Sequence, residues 1–181
     1  MKTLVILVHP DIKNSVTNKK WKEKLLEDQE EITVHELYKE YPDEKINIEK
    51  EQKILEKYGH IIFQFPLYWF SSPSFLKKYF DEVFTYGWAY GSEGNKLNGK
   101  KMGLAVTVGG KEEYYSHTGE NYFSIEEILV PFRTVIKYVG AKDLPFFYTY
   151  GNSSHITPRL TENILEKSAE NYLEYIKKYQ K

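Results

Sequence analysis

The chain has 181 residues, 28% of them charged and 41% hydrophobic, with a formal net charge of -1. It is long enough to bury a core, and its charge sets up no overall field toward nucleic acid or a membrane surface. It contains no cysteine, which excludes disulfides, thiolate nucleophiles and cysteine metal sites.

Apolar runs of strand length alternate with stretches of helical period along the whole chain. Leu4–Val8 is apolar throughout, as a strand buried on both faces should be. A helix follows, with Ser15 as the expected N-cap and Trp21, Leu25 and Leu26 at helical spacing. Ile32–Leu37 alternates in period two and suits a sheet edge. Residues 47–58 form a charged helix with Ile48, Ile54 and Leu55 expected on its inner side, and His60–Phe65 is the next strand, ending at Pro66. Ser72-Pro73 reads as a helix start, with serine as cap and proline in the first helical position. The helix behind it carries Phe75, Leu76, Tyr79, Phe80, Val83 and Phe84, an apolar stripe wider than a core face needs.

Gly94–Lys101 nearly spells a phosphate-binding loop, but Lys101 replaces the required Ser/Thr and the segment precedes a strand, so it reads as a solvated turn. Met102–Val108 is a further strand, closed by Gly109-Gly110. Ser124-Ile125-Glu126-Glu127 has the capping-box pattern and opens a helix running to Val139, which Pro131 should kink. Asp143–Tyr150 is the last strand, and Thr157-Pro158 opens a final helix that places Leu160, Ile164, Leu165, Ala169, Leu173 and Ile176 on one side.

Strict alternation of strands and helices, with no repeat and no linker, implies an α/β fold in one domain over residues 1–181: a parallel sheet with helices on both faces. Five strands suit the flavodoxin-like order 2-1-3-4-5, in which ligands bind at the carboxyl ends of the strands. The loops that matter are therefore those after the first, third and fourth strands.

The first of these places His9, Ser15, Val16, Thr17 and Asn18 where a helix start presents unpaired amides, a phosphate site by geometry and dipole. In the second, two prolines stiffen Pro66-Leu67-Tyr68-Trp69-Phe70 and leave rings at the binding edge. In the third, Thr107-Val108-Gly109-Gly110 lets backbone approach a flat ring, and Tyr115 or His117 can hydrogen-bond charge developing on a reduced ring or a quinone oxygen. Aromatic residues reach 16% of the chain and cluster around these loops. A ring-rich core or subunit interface would account for them, as would a pocket for a flat ligand. G-x-G-x-x-G is missing, which argues against an NAD-type Rossmann site.

Taken in order, His9-Pro10 with Ser15-x-x-Asn18, then Pro66-Leu67-Tyr68-Trp69-Phe70, then Thr107-Val108-Gly109-Gly110, resemble the flavodoxin-like NAD(P)H:quinone oxidoreductases. Phe80-Asp81-Glu82-Val83-Phe84 with Gly87-Trp88-Ala89-Tyr90-Gly91 is similar to the bacterial branch of general stress proteins and potassium-efflux ancillary oxidoreductases. The resemblance covers nearly the whole chain. It implies a homodimer with flavin at the interface, the phosphate held by His9 and the Ser15–Asn18 turn, and the isoalloxazine ring framed by Leu67–Phe70 and Thr107–Gly110. The stripe from Phe75 to Phe84 agrees with burial between subunits. Val108 departs from the pattern, standing where a second threonine is common. The chain lacks the extra C-terminal sequence of large FAD-binding relatives, which favours FMN, with FAD left open by compact relatives.

The implied reaction is ping-pong: NAD(P)H, as NADPH or NADH, reduces the flavin and leaves, and a quinone or related aromatic acceptor then takes two electrons, with Tyr115 the candidate for stabilising charge or relaying a proton. Two other readings stand beside it: a regulatory subunit docked on a membrane potassium-efflux transporter, and an electron-carrier flavodoxin, which the near-neutral charge disfavours. No metal site and no nucleic-acid partner are expected. No run approaches the roughly 18 apolar residues of a membrane span, the chain opens on a strand rather than a secretory signal, and the Asn152-Ser153-Ser154 sequon means nothing without secretion. A cytoplasmic location is expected.

Overall fold

The structure, a computed structural model, describes residues 2–153, 155–156 and 160–180. Its centre is a parallel sheet in which β1 (Thr3–Leu7) lies between β2 (Ile32–Glu36) and β3 (His60–Pro66), and β4 (Lys101–Thr107) lies beyond β3. The fifth position is filled in two pieces, β5 (Lys142–Asp143) and β6 (Phe147–Thr149), both paired in parallel with β4. The last strand was expected to be continuous. Pro145 falls between the pieces and has no N–H to give to the ladder. The order is the one expected, β2-β1-β3-β4-β5, with β2 at an edge.

Helices cover both faces. On one side α1 (Thr17–Leu25) and α7 (Glu162–Gln180) pack Trp21, Leu25, Ala169, Tyr172 and Ile176 against Val5, Ile62 and Ala105. On the other, α3 (Ile48–Glu56), α4 (Ser74–Val83) and α6 (Val130–Tyr138) pack Leu55, Phe75, Leu76, Phe132 and Ile136 against Leu4, Ile6, Phe63 and Leu104. Alternate residues of β1 thus serve opposite faces, which is why the strand is apolar from Leu4 onward. Short helices α2 (Leu37–Glu40) and α5 (Ile125–Ile128) complete the set. Among the described residues no helix is long and apolar enough to cross a membrane.

Several local expectations are corrected. Ser15 does not cap α1: the first helical bond runs from the Lys20 amide to the Val16 carbonyl, so Val16 is the N-cap. Pro73, not Ser72, caps α4, with an extended ψ of 142°, and the Ser72 hydroxyl donates to the Pro73 carbonyl. The Ser124–Glu127 capping box forms as expected, but the helix breaks at Leu129 rather than kinking, and Pro131 sits in the first turn of α6, where its missing N–H is harmless. The wide stripe of α4 is used within the chain: Phe75, Leu76, Tyr79, Phe80 and Val83 are all buried without a second subunit. The Gly94–Lys101 segment turns ahead of β4 as expected, but it is not wholly solvated: Leu97 is buried and Lys101 already belongs to the strand. The Thr157-Pro158 start of the last helix lies outside the described residues, as does Ser154 of the sequon.

On α3 the inner place expected for Ile48 is taken by Glu51, while Ile48 faces solvent. The fully buried Glu51 carboxylate accepts from Tyr41 Oη at 2.7 Å, His35 Nε2 at 3.0 Å and Tyr79 Oη at 3.1 Å. Burial pushes this carboxyl up, but the three donors outweigh it and hold the group below the usual carboxylate range. Ile164, expected inward, is half exposed.

Candidate active site

At the carboxyl edge of the sheet the loops enclose a cleft of about 560 Å³, lined by His9, Ser15–Asn18, Pro66–Tyr68, Thr107 and Gly109. It adjoins a slot of about 410 Å³ between Leu67–Phe70 and Gly109, Gly110 and Tyr115. Leu67, Tyr68 and Gly109 line both, so the two spaces are neighbours that share these residues.

The cleft is built on the start of α1. Among the described residues the backbone amides of Val16, Thr17 and Asn18 have no acceptor, as helix geometry requires of first-turn donors. His9 stands beside them, half-buried, its Nδ1 accepting from the Asp11 amide at 3.1 Å. That bond leaves the ring proton on Nε2, as a donor. Burial lowers the His9 pKa against the opposing charge of Asp11, so the ring is neutral at neutral pH.

The polar side chains of the first loop divide into two kinds. Asn18 is buried: its Nδ2 donates to Thr107 Oγ1 at 2.7 Å, and Gln64 Nε2 donates to its carbonyl and its Oδ1. Thr17 donates to Asn152 Oδ1. These two side chains brace the loops against one another, and the ligand-facing chemistry falls to the amides, the Ser15 hydroxyl and His9. Thr107 accepts from Asn18 and keeps its own hydroxyl proton for an acceptor in the cleft.

The slot has a strained wall. Tyr68 and Ser71 exchange backbone bonds of 3.0 and 2.9 Å, closing a two-residue hairpin whose central residues, Trp69 and Phe70, have φ of +49° and +58°. Positive φ at both positions is a type I′ turn, which ordinarily takes Asn-Gly. Two bulky residues there hold strain of about 1–3 kcal/mol each. The result is that Trp69 stands 94% exposed and Phe70 49% exposed beside the opening.

The opposite wall is glycine backbone. A Cβ at Gly109 would meet only Ser153 Cβ, at 3.6 Å, whereas one at Gly110 would lie 3.1 Å from ring carbons of both Tyr114 and Tyr115. Gly109 therefore leaves open space for a ligand, and Gly110 lets Tyr115 pack close. Burial raises the Tyr115 phenol, which is a neutral donor at neutral pH.

Of the residues singled out from sequence, His9, Ser15, Val16, Thr17, Asn18, Pro66, Leu67, Tyr68 and Thr107 line the cleft, and Trp69, Phe70, Gly110 and Tyr115 line the slot. Gly109 lines both. Val108 lines neither: its side chain is in the core and its backbone groups bond Thr149 and Asn152. His117 is turned away, with Nδ1 against the Tyr122 carbonyl at 3.2 Å and Nε2 3.4 Å from Glu127. The loop after the fifth position was missed. Gly151, Asn152 and Ser153 line the cleft, and Asn152 Nδ2 donates to the Val108 and Thr149 carbonyls. The rule that ligands sit at strand carboxyl ends applies to that loop as much as to the others.

This chain belongs to the flavodoxin-like fold family. The family model matches residues 1–176. General stress protein 14 of Bacillus subtilis is 50% identical, over 91% of this chain and 97% of its own. The uncharacterized NAD(P)H oxidoreductase YrkL of the same organism is 45% identical over 98% of both chains, and the potassium-efflux ancillary protein KefG of Cronobacter sakazakii is 40% identical over 72% of this chain and 71% of its own. The bacterial branch expected from the sequence is thus the one its relatives come from. Among solved structures, general stress protein 14 of Treponema denticola in complex with FMN superposes with a TM-score of 0.92 at 40% identity over 98% of this chain and 99% of that one. An NADPH-quinone reductase from P. pentosaceus follows at 0.85 and 28%, over 97% of each. A chain described as a thermophilic tryptophan halogenase also matches, at 0.89 and 42%, over 96% and 97%, so likeness of chain does not by itself name the acceptor.

Proposed function

We propose that this protein is an FMN-dependent NAD(P)H oxidoreductase that passes two electrons to quinones or related aromatic acceptors by a ping-pong sequence. The observation that carries the reading is a donor-rich cleft at a helix start that shares Leu67, Tyr68 and Gly109 with a ring-walled slot at the same sheet edge. The donor set fits the group: unpaired amides of Val16–Asn18, the Ser15 hydroxyl and the His9 Nε2 proton suit a phosphate, and the space a Cβ would fill at Gly109 suits a flat ring. When bound, FMN supplies the redox step, taking a hydride from NAD(P)H and passing it to the acceptor.

The chain's own residues bind, orient and exclude. His9 and the first turn of α1 hold the phosphate, and Leu67, Thr107 and Gly109 frame the ring. Tyr68, Trp69 and Phe70 offer faces on which a planar donor and then a planar acceptor stack in turn. The Tyr115 hydroxyl donates to the oxygen on which charge develops. Support also comes from the NAD(P)H and quinone names of the relatives above.

The reading includes a homodimer in the cytoplasm. With the α4 stripe buried internally, the surface favouring a dimer is a groove of about 440 Å³ between Phe80, Phe84, Tyr90 and Tyr138, flanked by the exposed ring of Tyr86. Docking on a potassium-efflux transporter is the second reading, favoured by the likeness to KefG. Steady-state kinetics with NADPH and menadione test the main proposal. Parallel double-reciprocal lines are expected, and intersecting lines or no FMN-dependent turnover would rule it out.

A further inference from the structure

Behind Tyr115 lies a run of groups that line neither the cleft nor the slot. The Tyr115 ring packs on Gly110, where an added Cβ would lie 3.3 Å from its hydroxyl oxygen. Tyr150, just past the end of β6, lies against the Tyr115 ring with centroids 5.5 Å apart and a tilt of 38°. Tyr148, within β6, meets Tyr150 edge-on, 5.5 Å away at 73°. The Tyr148 hydroxyl in turn donates to the Glu126 carboxylate, in the first turn of α5. The chain of contact runs from a carboxylate on a capped helix, through one ring in the last strand and one just past it, to the phenol at the slot wall.

A hydrogen-bond donor that must meet charge on a reacting oxygen is useful only where its position is fixed in advance. The loop that carries Tyr115 follows a single 3-10 turn at Glu112–Tyr114, and outside that loop the ring leans on Gly110 and Tyr150. We propose that Tyr150 is a positioning residue: anchored through Tyr148 to Glu126, it holds the Tyr115 ring against Gly110 at the wall of the slot. Burial first, then Glu126, Glu112 and Tyr115, push the Tyr150 phenol up to about 12, so that it stays neutral alongside Tyr115. The inference rests on the slot being where the acceptor is reduced.

The test is a mutant cycle on the FMN-loaded protein, with a second readout on the apoprotein. Tyr150→Ala should slow reoxidation of the reduced protein by menadione about tenfold, with little change in FMN affinity. Tyr150→Phe keeps the ring and should restore the rate to within about twofold of the parent. In a Tyr115→Phe background, Tyr150→Ala should cost nothing further, because its effect passes through Tyr115. In apoprotein carrying 3-fluorotyrosine, the ¹⁹F resonance of residue 115 should move in Tyr150→Ala, move less in Tyr148→Phe, and stay in place in Tyr150→Phe. A full additive loss in the double variant, or a resonance unmoved in Tyr148→Phe, which keeps every ring and removes only the anchor to Glu126, overturns the proposal. A parent protein without quinone reduction would sink the functional reading instead, and the fluorine shift would still decide whether Tyr150 positions Tyr115.

Discussion

The side-chain amide of Asn18 donates to the hydroxyl of Thr107 at 2.7 Å, tying the first turn of α1 to the carboxyl end of β4. The bond is buried, and the same Asn18 receives two contacts from Gln64. One residue thus holds the donor-rich half of the site in register with the ring-binding half. Asn18→Ala removes the bond to Thr107 and the side-chain contact with Gln64, leaving the Gln64 amide only the backbone carbonyl of residue 18. We expect a loss of about 2–3 kcal/mol in unfolding free energy and weaker FMN uptake, measured by denaturant titration and by flavin fluorescence.

The Trp69-Phe70 turn should show a trade between stability and activity. Replacing both residues with Asn-Gly supplies the pair that a type I′ turn prefers, and the exposure of Trp69 means little packing is lost. The apoprotein should gain about 1–3 kcal/mol in thermal or chemical unfolding. Turnover with menadione should fall, because the stacking faces are gone. A double variant that is less stable than the parent would show that the rings, not the strain, dominate this loop.

The two glycines of the slot should behave differently. A methyl at Gly109 meets only Ser153, at 3.6 Å, so Gly109→Ala should fold with an unchanged melting temperature and lose FMN affinity. A methyl at Gly110 lies 3.1 Å from Tyr114 and Tyr115 ring carbons, so Gly110→Ala should displace Tyr115, lower stability by about 1–3 kcal/mol and slow the acceptor half-reaction. Melting curves with and without FMN separate the two.

His60 gives a pH signature unrelated to catalysis. It is fully buried on β3, with Nδ1 2.8 Å from Thr3 Oγ1, and burial, with Lys101 adding to it, lowers its pKa to about 4. Above pH ~6.5 the ring is neutral in both folded and unfolded chains and has no linkage effect. As pH falls from about 6.5 to about 4, the unfolded chain binds a proton that the folded chain refuses, so stability drops, by about 3 kcal/mol in all. A His60→Gln variant should show a flatter dependence over this window in urea titrations.

Much of the frame was legible in the amino-acid order because its signals were redundant. Leu4–Val8 is apolar at every position and Met102–Val108 at nearly every one, as a strand buried on both faces calls for. Less legible were features decided by tertiary contacts. Pro145 splits the last strand, yet proline alone does not say where pairing resumes. Glu51 reads as one more surface acid on a charged helix, since its three donors come from β2, the segment after α2, and α4. In the site, the three loops after β1, β3 and β4 could be chosen from topology, but the division of labour within them could not. Thr17 and Asn18 carry ligand-like side chains that are spent on bracing, and the Asn152 that receives Thr17 lies 135 residues further along the chain.

The central claim is that cleft and slot together hold a flavin that NAD(P)H can reduce and an aromatic acceptor can reoxidise. The measurement that tests it most directly is the absorbance spectrum of the FMN-reconstituted protein under anaerobic conditions, taken before and after NADPH or NADH and again after menadione. The flavin band should bleach with the nucleotide and return in full with the quinone. A protein that takes up no FMN, or a bound flavin that neither nucleotide reduces, would contradict it.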